Sequence, residues 1–209
     1  AEGVDTQFVL MGDGNMHWCT AFAKLPGVHT VHVRHEHVTV AAATAYNVAT
    51  GKVAVASVTC GPGVTQLMTA LPAAVRARLP MVVFAGESPI NARFYNQDID
   101  QAPLVTATGA HYIAAHSVPR MMDYVREAFH IAKVERQPVV LGIPYDLQKD
   151  LVPVTTGARA RLEGRDGRIL HGRPRRPRHH AGSGLVRVLS RWGGQLFERA
   201  QAKVARCTR

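Results

Sequence analysis

The run Val53-Ala54-Val55-Ala56-Ser57-Val58, followed at once by Thr59-Cys60-Gly61-Pro62-Gly63, decides the fold. Small and β-branched residues without a charge or a polar alternation read as a strand buried on both faces, the condition of a strand inside a parallel sheet. The Gly-Pro-Gly turn ends it. The uncharged stretch continues to Val75, long enough to span a bilayer. Its interruption at 61–63, with Ser57, Thr59, Thr65 and Gln66 inside it, argues for a soluble protein with no membrane partner. Working outward, residues 8–11, 28–33, 81–84 and 138–143 have the same apolar, β-rich character. Helix-length segments lie between them, at about 17–25, 36–50, 63–77 and 119–136. In the last of these, Met122, Val125, Phe129 and Ala132 recur at helical spacing. Buried strands alternating with helices predict an α/β fold: an open, doubly wound parallel sheet with helices on both faces. Ligands are expected beyond the carboxyl ends of its strands.

Charge divides the 209 residues unevenly. Residues 1–156 carry 11 Lys+Arg against 12 Asp+Glu, while residues 157–209 carry 14 against 3. A near-neutral domain over 1–150 is therefore followed, over 151–209, by a linker and an Arg/Pro-rich tail without the apolar bulk for a core, read as poorly ordered or as a reading-frame artefact. The tail's positive charge suits nucleic-acid phosphates, but Trp192 and Phe197 stand apart from the Arg/Pro run and offer no stacking platform. A nucleic-acid partner is accordingly disfavoured. Cys19, Cys60 and Cys207 form no CxxC pair, which speaks against a zinc site or a disulfide framework and for a reducing, cytoplasmic setting. No basic segment followed by an apolar run opens the sequence, so no signal peptide is expected.

Few residues suggest chemistry by themselves. Gly12-Asp13-Gly14 follows a strand but lacks the Lys-Ser/Thr of a phosphate loop, so a tight strand-to-helix turn is the plainer reading. His17, His29, His32, His35 and His37 have no i, i+4 pair with a third ligand, and no metal site is expected. Cys60 lacks an identifiable base and reads as a small buried residue. Glu36 stands between the strand 28–33 and the helix 36–50. A carboxylate at a strand end and in a helix's first turn is either a proton-handling group or an acid that stabilises the helix dipole.

Val33-Arg34-His35-Glu36-His37, an Ala-rich helix, Gly51-Lys52, and a strand ending Thr59-Cys60-Gly61-Pro62-Gly63 occur here in one order. With the stretch 97–101 (Gln-Asp-Ile-Asp-Gln) and the closing strand within 137–146, they resemble the N-terminal, pyrimidine-binding domain of thiamine-diphosphate-dependent enzymes of the acetolactate synthase type. The resemblance covers about 150 residues. It implies that Glu36 hydrogen-bonds the cofactor's pyrimidine N1′ and promotes the imino tautomer that removes the thiazolium C2 proton. Gly61, Pro62 and Gly63 would form the turn against the pyrimidine, with absent side chains allowing close approach, and Gln97 would neighbour the site. It further implies thiamine diphosphate as cofactor, a 2-oxo acid as substrate, a homo-oligomer, and decarboxylation or carboligation as the reaction. Magnesium and the diphosphate would be held by a domain not present here, because Gly12-Asp13-Gly14 lacks the Asn-Asn of the family's metal motif. The resemblance further implies that the first helix of the pyrimidine-binding domain is missing before residue 1. An inactive fragment of such an enzyme is the alternative.

Overall fold

The computed structural model describes residues 2–149; Ala1 and residues 150–209, which include the expected basic tail and its boundary, lie outside the described residues. Six strands, β1 (Thr6–Val9), β2 (His29–His32), β3 (Ala54–Val58), β4 (Met81–Glu87), β5 (His111–Ala114) and β6 (Pro138–Pro144), form one sheet. The sheet is parallel at every pairing, in the order β2-β1-β3-β4-β6-β5. Six α-helices accompany it: α1 (Met16–Ala23), α2 (Glu36–Thr50), α3 (Pro62–Thr65), α4 (Ala70–Arg76), α5 (Gln101–Ala107) and α6 (Met121–Glu135). The α/β class and the doubly wound parallel sheet expected from sequence are what the chain builds.

The central strands show why. Every residue of β3 is buried. Ala54, Ala56 and Val58 join Met81 and Val83 in a core against α2 and α4, and Val55 joins Val82, Phe84 and Leu141 in a second core against α6. Successive side chains of a strand point to opposite faces, so a strand feeding two cores must be apolar throughout. α2 ends at Gly51, in the left-handed region at φ +71°, where its N–H closes onto the Asn47 carbonyl at 2.8 Å.

One expectation is corrected, and two elements were not foreseen. The helix expected over 63–77 is two helices, α3 and α4, joined by turns at residues 66–69. Pro72 has no N–H for the Met68 carbonyl, so a continuous helix would lose a bond at that point. α5 and β5 were not anticipated at all. Among the described residues β5 lies at a sheet edge, pairs with β6 alone and is half exposed, so it carries no continuous apolar run. α5 is a seven-residue helix opened by Asp100, whose carboxylate accepts the Ala102 N–H at 3.3 Å.

His29, His32 and His35 are exposed along and beyond the edge strand β2. Among the described residues no group of three or more His, Cys, Asp or Glu is placed to hold a metal ion, and no helix is long and apolar enough to cross a membrane.

Candidate active site

The chain leaves β1 toward β2 on one side and later returns to place β3 on the other, so the crevice of this sheet opens between the carboxyl ends of β1 and β3. Two loops meet there. Gly14 donates its N–H to Thr59 Oγ1 at 3.0 Å. A Cβ on Gly14 would stand 2.8 Å from the Cys60 nitrogen, so only glycine permits this approach. On its other side Gly14 meets β4, where a Cβ on Gly86 would fall 2.3 Å from the Gly14 carbonyl oxygen.

A buried polar knot holds the β1 loop. Asn15 accepts the Gly12 N–H at 2.8 Å and donates to the Leu10 carbonyl at 3.2 Å. Ser57 Oγ, inside the sheet, accepts from Asn15 Nδ2 and Trp18 Nε1, each at 2.9 Å, and Cys19 Sγ lies 3.4 Å away. Burial pushes the Cys19 thiol up to about 11, with the Ser57 contact opposing that rise. Trp18 in turn stacks on Phe84 with ring centroids 3.8 Å apart. Ser57→Ala should therefore destabilise the protein by about 2–4 kcal/mol, because Trp18 Nε1 loses its acceptor and Asn15 one of two. Urea unfolding measures this, and a loss below about 0.5 kcal/mol would show that the hydroxyl holds nothing together.

The residues singled out from sequence fall into two groups. Gly61 lies at φ +57°, ψ −108° just past β3, and Pro62 and Gly63 continue the turn into α3. Gln97 is in direct contact with it: a Cβ on Gly61 would stand 2.1 Å from the Gln97 carbonyl oxygen. Gln97 Oε1 also accepts from Cys60 Sγ at 3.2 Å. Cys60 is buried, and burial raises its thiol above the ordinary range. Glu36 is set apart from this group. It is the first residue of α2, half-buried past the end of β2, and β1 intervenes, so two strand spacings, about 10 Å, separate the ends of β2 and β3. Its carboxylate enters none of the ion pairs among the described residues.

One expectation changes in its physical basis. The missing side chains at Gly61 and Gly63 are required by the chain's own packing, against the Gln97 carbonyl and, at 2.8 Å, against Thr59 Cγ2. Space for a ligand is not needed to explain either glycine.

Gln101, buried at the start of α5, was missed as a site residue although it ends the stretch 97–101. Its spacing of four from Gln97 was the available signal. Equally unforeseen is a group at the ends of β4 and β5, where the Glu87 carboxylate accepts the Tyr112 hydroxyl and pairs with His116. The two side chains meet over Gly142 of β6, where a Cβ would stand 2.3 Å from Glu87 Oε1. Burial, and then the Glu87 charge, hold the Tyr112 hydroxyl well above the ordinary phenol range.

Comparison with known proteins identifies the family. Residues 1–104 match the family model described as the thiamine pyrophosphate enzyme, N-terminal TPP binding domain. The chain is 31% identical over 194 residues to acetolactate synthase 2, chloroplastic, of Nicotiana tabacum, covering 90% of this chain and 28% of that protein. It is 34% identical over 153 residues to the acetolactate synthase isozyme 2 large subunit of Escherichia coli K12, covering 71% and 27%. For acetolactate synthase 1, chloroplastic, of Oryza sativa the identity is 33% over 158 residues, covering 73% and 24%. The chain thus spans about a quarter of the length of these relatives. A parallel sheet with its crevice at the β1 and β3 loops, carrying this family match and these relatives, belongs to the thiamine pyrophosphate enzymes, as an N-terminal TPP-binding domain related to acetolactate synthase.

Proposed function

We propose that residues 2–149 hold the pyrimidine end of thiamine diphosphate in a 2-oxo acid decarboxylase or carboligase, and that Glu36 is the acid that serves the pyrimidine ring. The observation that carries this reading is the placement of Glu36. The half-buried residue opens α2 at the carboxyl edge of the sheet, and its carboxylate joins no ion pair among the described residues. A carboxylate at a helix start is held by the helix dipole, yet it remains free to share a proton with a ring nitrogen that approaches from the crevice. The donor set fits the group: Glu36 supplies the acid, while the turn 61–63 and Gln97 supply a preformed wall on the β3 side.

When bound, thiamine diphosphate supplies an electron sink for making or breaking a bond beside a carbonyl. The chain's own part is to orient the pyrimidine and to hold a proton at its N1′. Magnesium and the diphosphate belong, in this reading, to another part of the complete enzyme, and each site is completed between subunits of a homo-oligomer. The reading includes a reducing compartment such as the cytoplasm.

Titration of the 209-residue protein with thiamine diphosphate, followed by amide NMR, tests the binding half. With the diphosphate unheld, affinity is expected at about the millimolar level, with shifts concentrated at Glu36, Gly61 and Gln97. Shifts confined to other faces of the sheet, or none at millimolar cofactor, would remove the reading.

A further inference from the structure

Gln101 is 4% exposed, and its carboxamide reaches three separate elements. Its Oε1 accepts the Gly61 N–H at 2.8 Å. Its Nε2 donates to the Gly86 carbonyl of β4 at 3.0 Å and to the Tyr112 hydroxyl of β5 at 3.1 Å. These partners fix the orientation of the amide. Turned over, it would set its NH2 against the Gly61 N–H and its carbonyl against that of Gly86, leaving both backbone groups unpaired. Tyr112 accepts from Gln101 and donates to Glu87, so donors and acceptors run in one consistent direction through the group.

The backbone of Gln101 is equally constrained. It is the first residue of α5, and the preceding Asp100 caps that helix. Four residues earlier, the Gln97 carbonyl presses on the α-carbon of Gly61. Gly61 is therefore gripped at its N–H by Gln101 and at its Cα by Gln97. Such a grip has a use, since φ +57° with ψ −108° is open to glycine but is only one of several conformations it adopts freely, so contacts from outside the turn select it. Gly86 extends the linkage to the β1 loop through its contact with Gly14.

We propose that Gln101 is a positioning residue for the cofactor: it locks the Gly61-Pro62-Gly63 turn in the shape that receives the pyrimidine, and ties that turn to β4. This rests on the reading of the crevice as a pyrimidine site. Gln101 acts through Gly61 and need not touch the ligand.

The test compares Gln101→Met, which keeps the volume and removes all three hydrogen bonds, with Gln101→Glu, which keeps the acceptor for Gly61 but loses the donor to Gly86. Tyr112→Phe is the control, since it breaks the bond to Glu87 and the one from Gln101 Nε2, and leaves the bonds of Gln101 to Gly61 and Gly86 intact. All are made in the 209-residue protein and read by amide hydrogen exchange, thermal unfolding and titration with thiamine diphosphate. Gln101→Met is expected to exchange its Gly61 N–H at least tenfold faster, with β3 and β4 amides unchanged, and to weaken the cofactor by about tenfold to a hundredfold. Gln101→Glu should recover most of both effects. Tyr112→Phe should lower the melting temperature and leave the affinity alone.

The proposal is overturned if Gln101→Met binds as the parent does, or if Tyr112→Phe loses as much affinity as Gln101→Met. Should Gln101→Met not fold, Gln101→Glu decides: an unprotected Gly61 N–H with parental affinity overturns the proposal equally. A parent that binds no thiamine diphosphate refutes the pyrimidine site itself, and this role with it. A parent that binds while Gln101→Met matches it refutes this role alone.

Discussion

In the complete enzyme, supplied with thiamine diphosphate and magnesium, Glu36→Gln should slow exchange of the cofactor's C2 proton by a factor on the order of 10²–10⁴, the range for losing a general acid or base. The amide matches the carboxyl group in size and still hydrogen-bonds. The side chain is half-buried at the first position of α2 and joins no ion pair among the described residues, so the fold should survive the change. What remains for α2 is the loss of one favourable charge at its start, about 0.3–1 kcal/mol. Gln cannot share a proton with the pyrimidine nitrogen, and that is the function in question. Exchange against deuterated water, quenched in acid and read by NMR, reports the step apart from substrate binding. A variant that exchanges at the parent's rate would reduce Glu36 to a helix-start acid.

Gly61→Ala is expected to be the most damaging of the glycine substitutions near the site. Two costs combine. The backbone sits at positive φ, which a residue with a Cβ adopts at about 1–3 kcal/mol. The new methyl would also lie 2.1 Å from the Gln97 carbonyl oxygen, a backbone atom that cannot rotate away. Overpacking of that kind costs about 1–3 kcal/mol further, so a loss of about 3 kcal/mol or more is expected in urea unfolding. Two other glycines calibrate it. Gly51→Ala, at φ +71° but facing open space, should cost about 1 kcal/mol from backbone conformation alone. Gly63→Ala meets the Thr59 methyl at 2.8 Å rather than a backbone atom and should fall between them. If Gly61→Ala costs no more than Gly51→Ala, the close packing of Gln97 on the turn is not a feature of the folded protein in solution.

The sequence by itself determined the class of fold and the local elements from which the proposed site is built. Residues 53–58 feed two cores, and a strand with that duty must be apolar on both faces, so its composition announced a covered parallel sheet before any coordinates. Gly-Pro-Gly at 61–63 marked the end of that strand through local backbone rules alone, and Glu36 was visible because helix starts and strand ends are local as well. Elements whose stability comes from neighbours left no such mark. β5, half-exposed at an edge, is a strand because β6 offers it a ladder, and the break between α3 and α4 overrode an apparently continuous helical run. Only the tertiary structure decided which residues meet. Gln97 and Gln101 lie more than thirty positions from Gly61, yet they grip it at Cα and at N–H. Glu87 and Tyr112, with His116 beside them, come together because β6 inserts between β4 and β5 and presents Gly142 where the Glu87 and Tyr112 side chains meet. Composition and periodicity report how much of a segment is buried; the pairing of distant hydrogen-bonding groups depends on strand order, which no local pattern encodes.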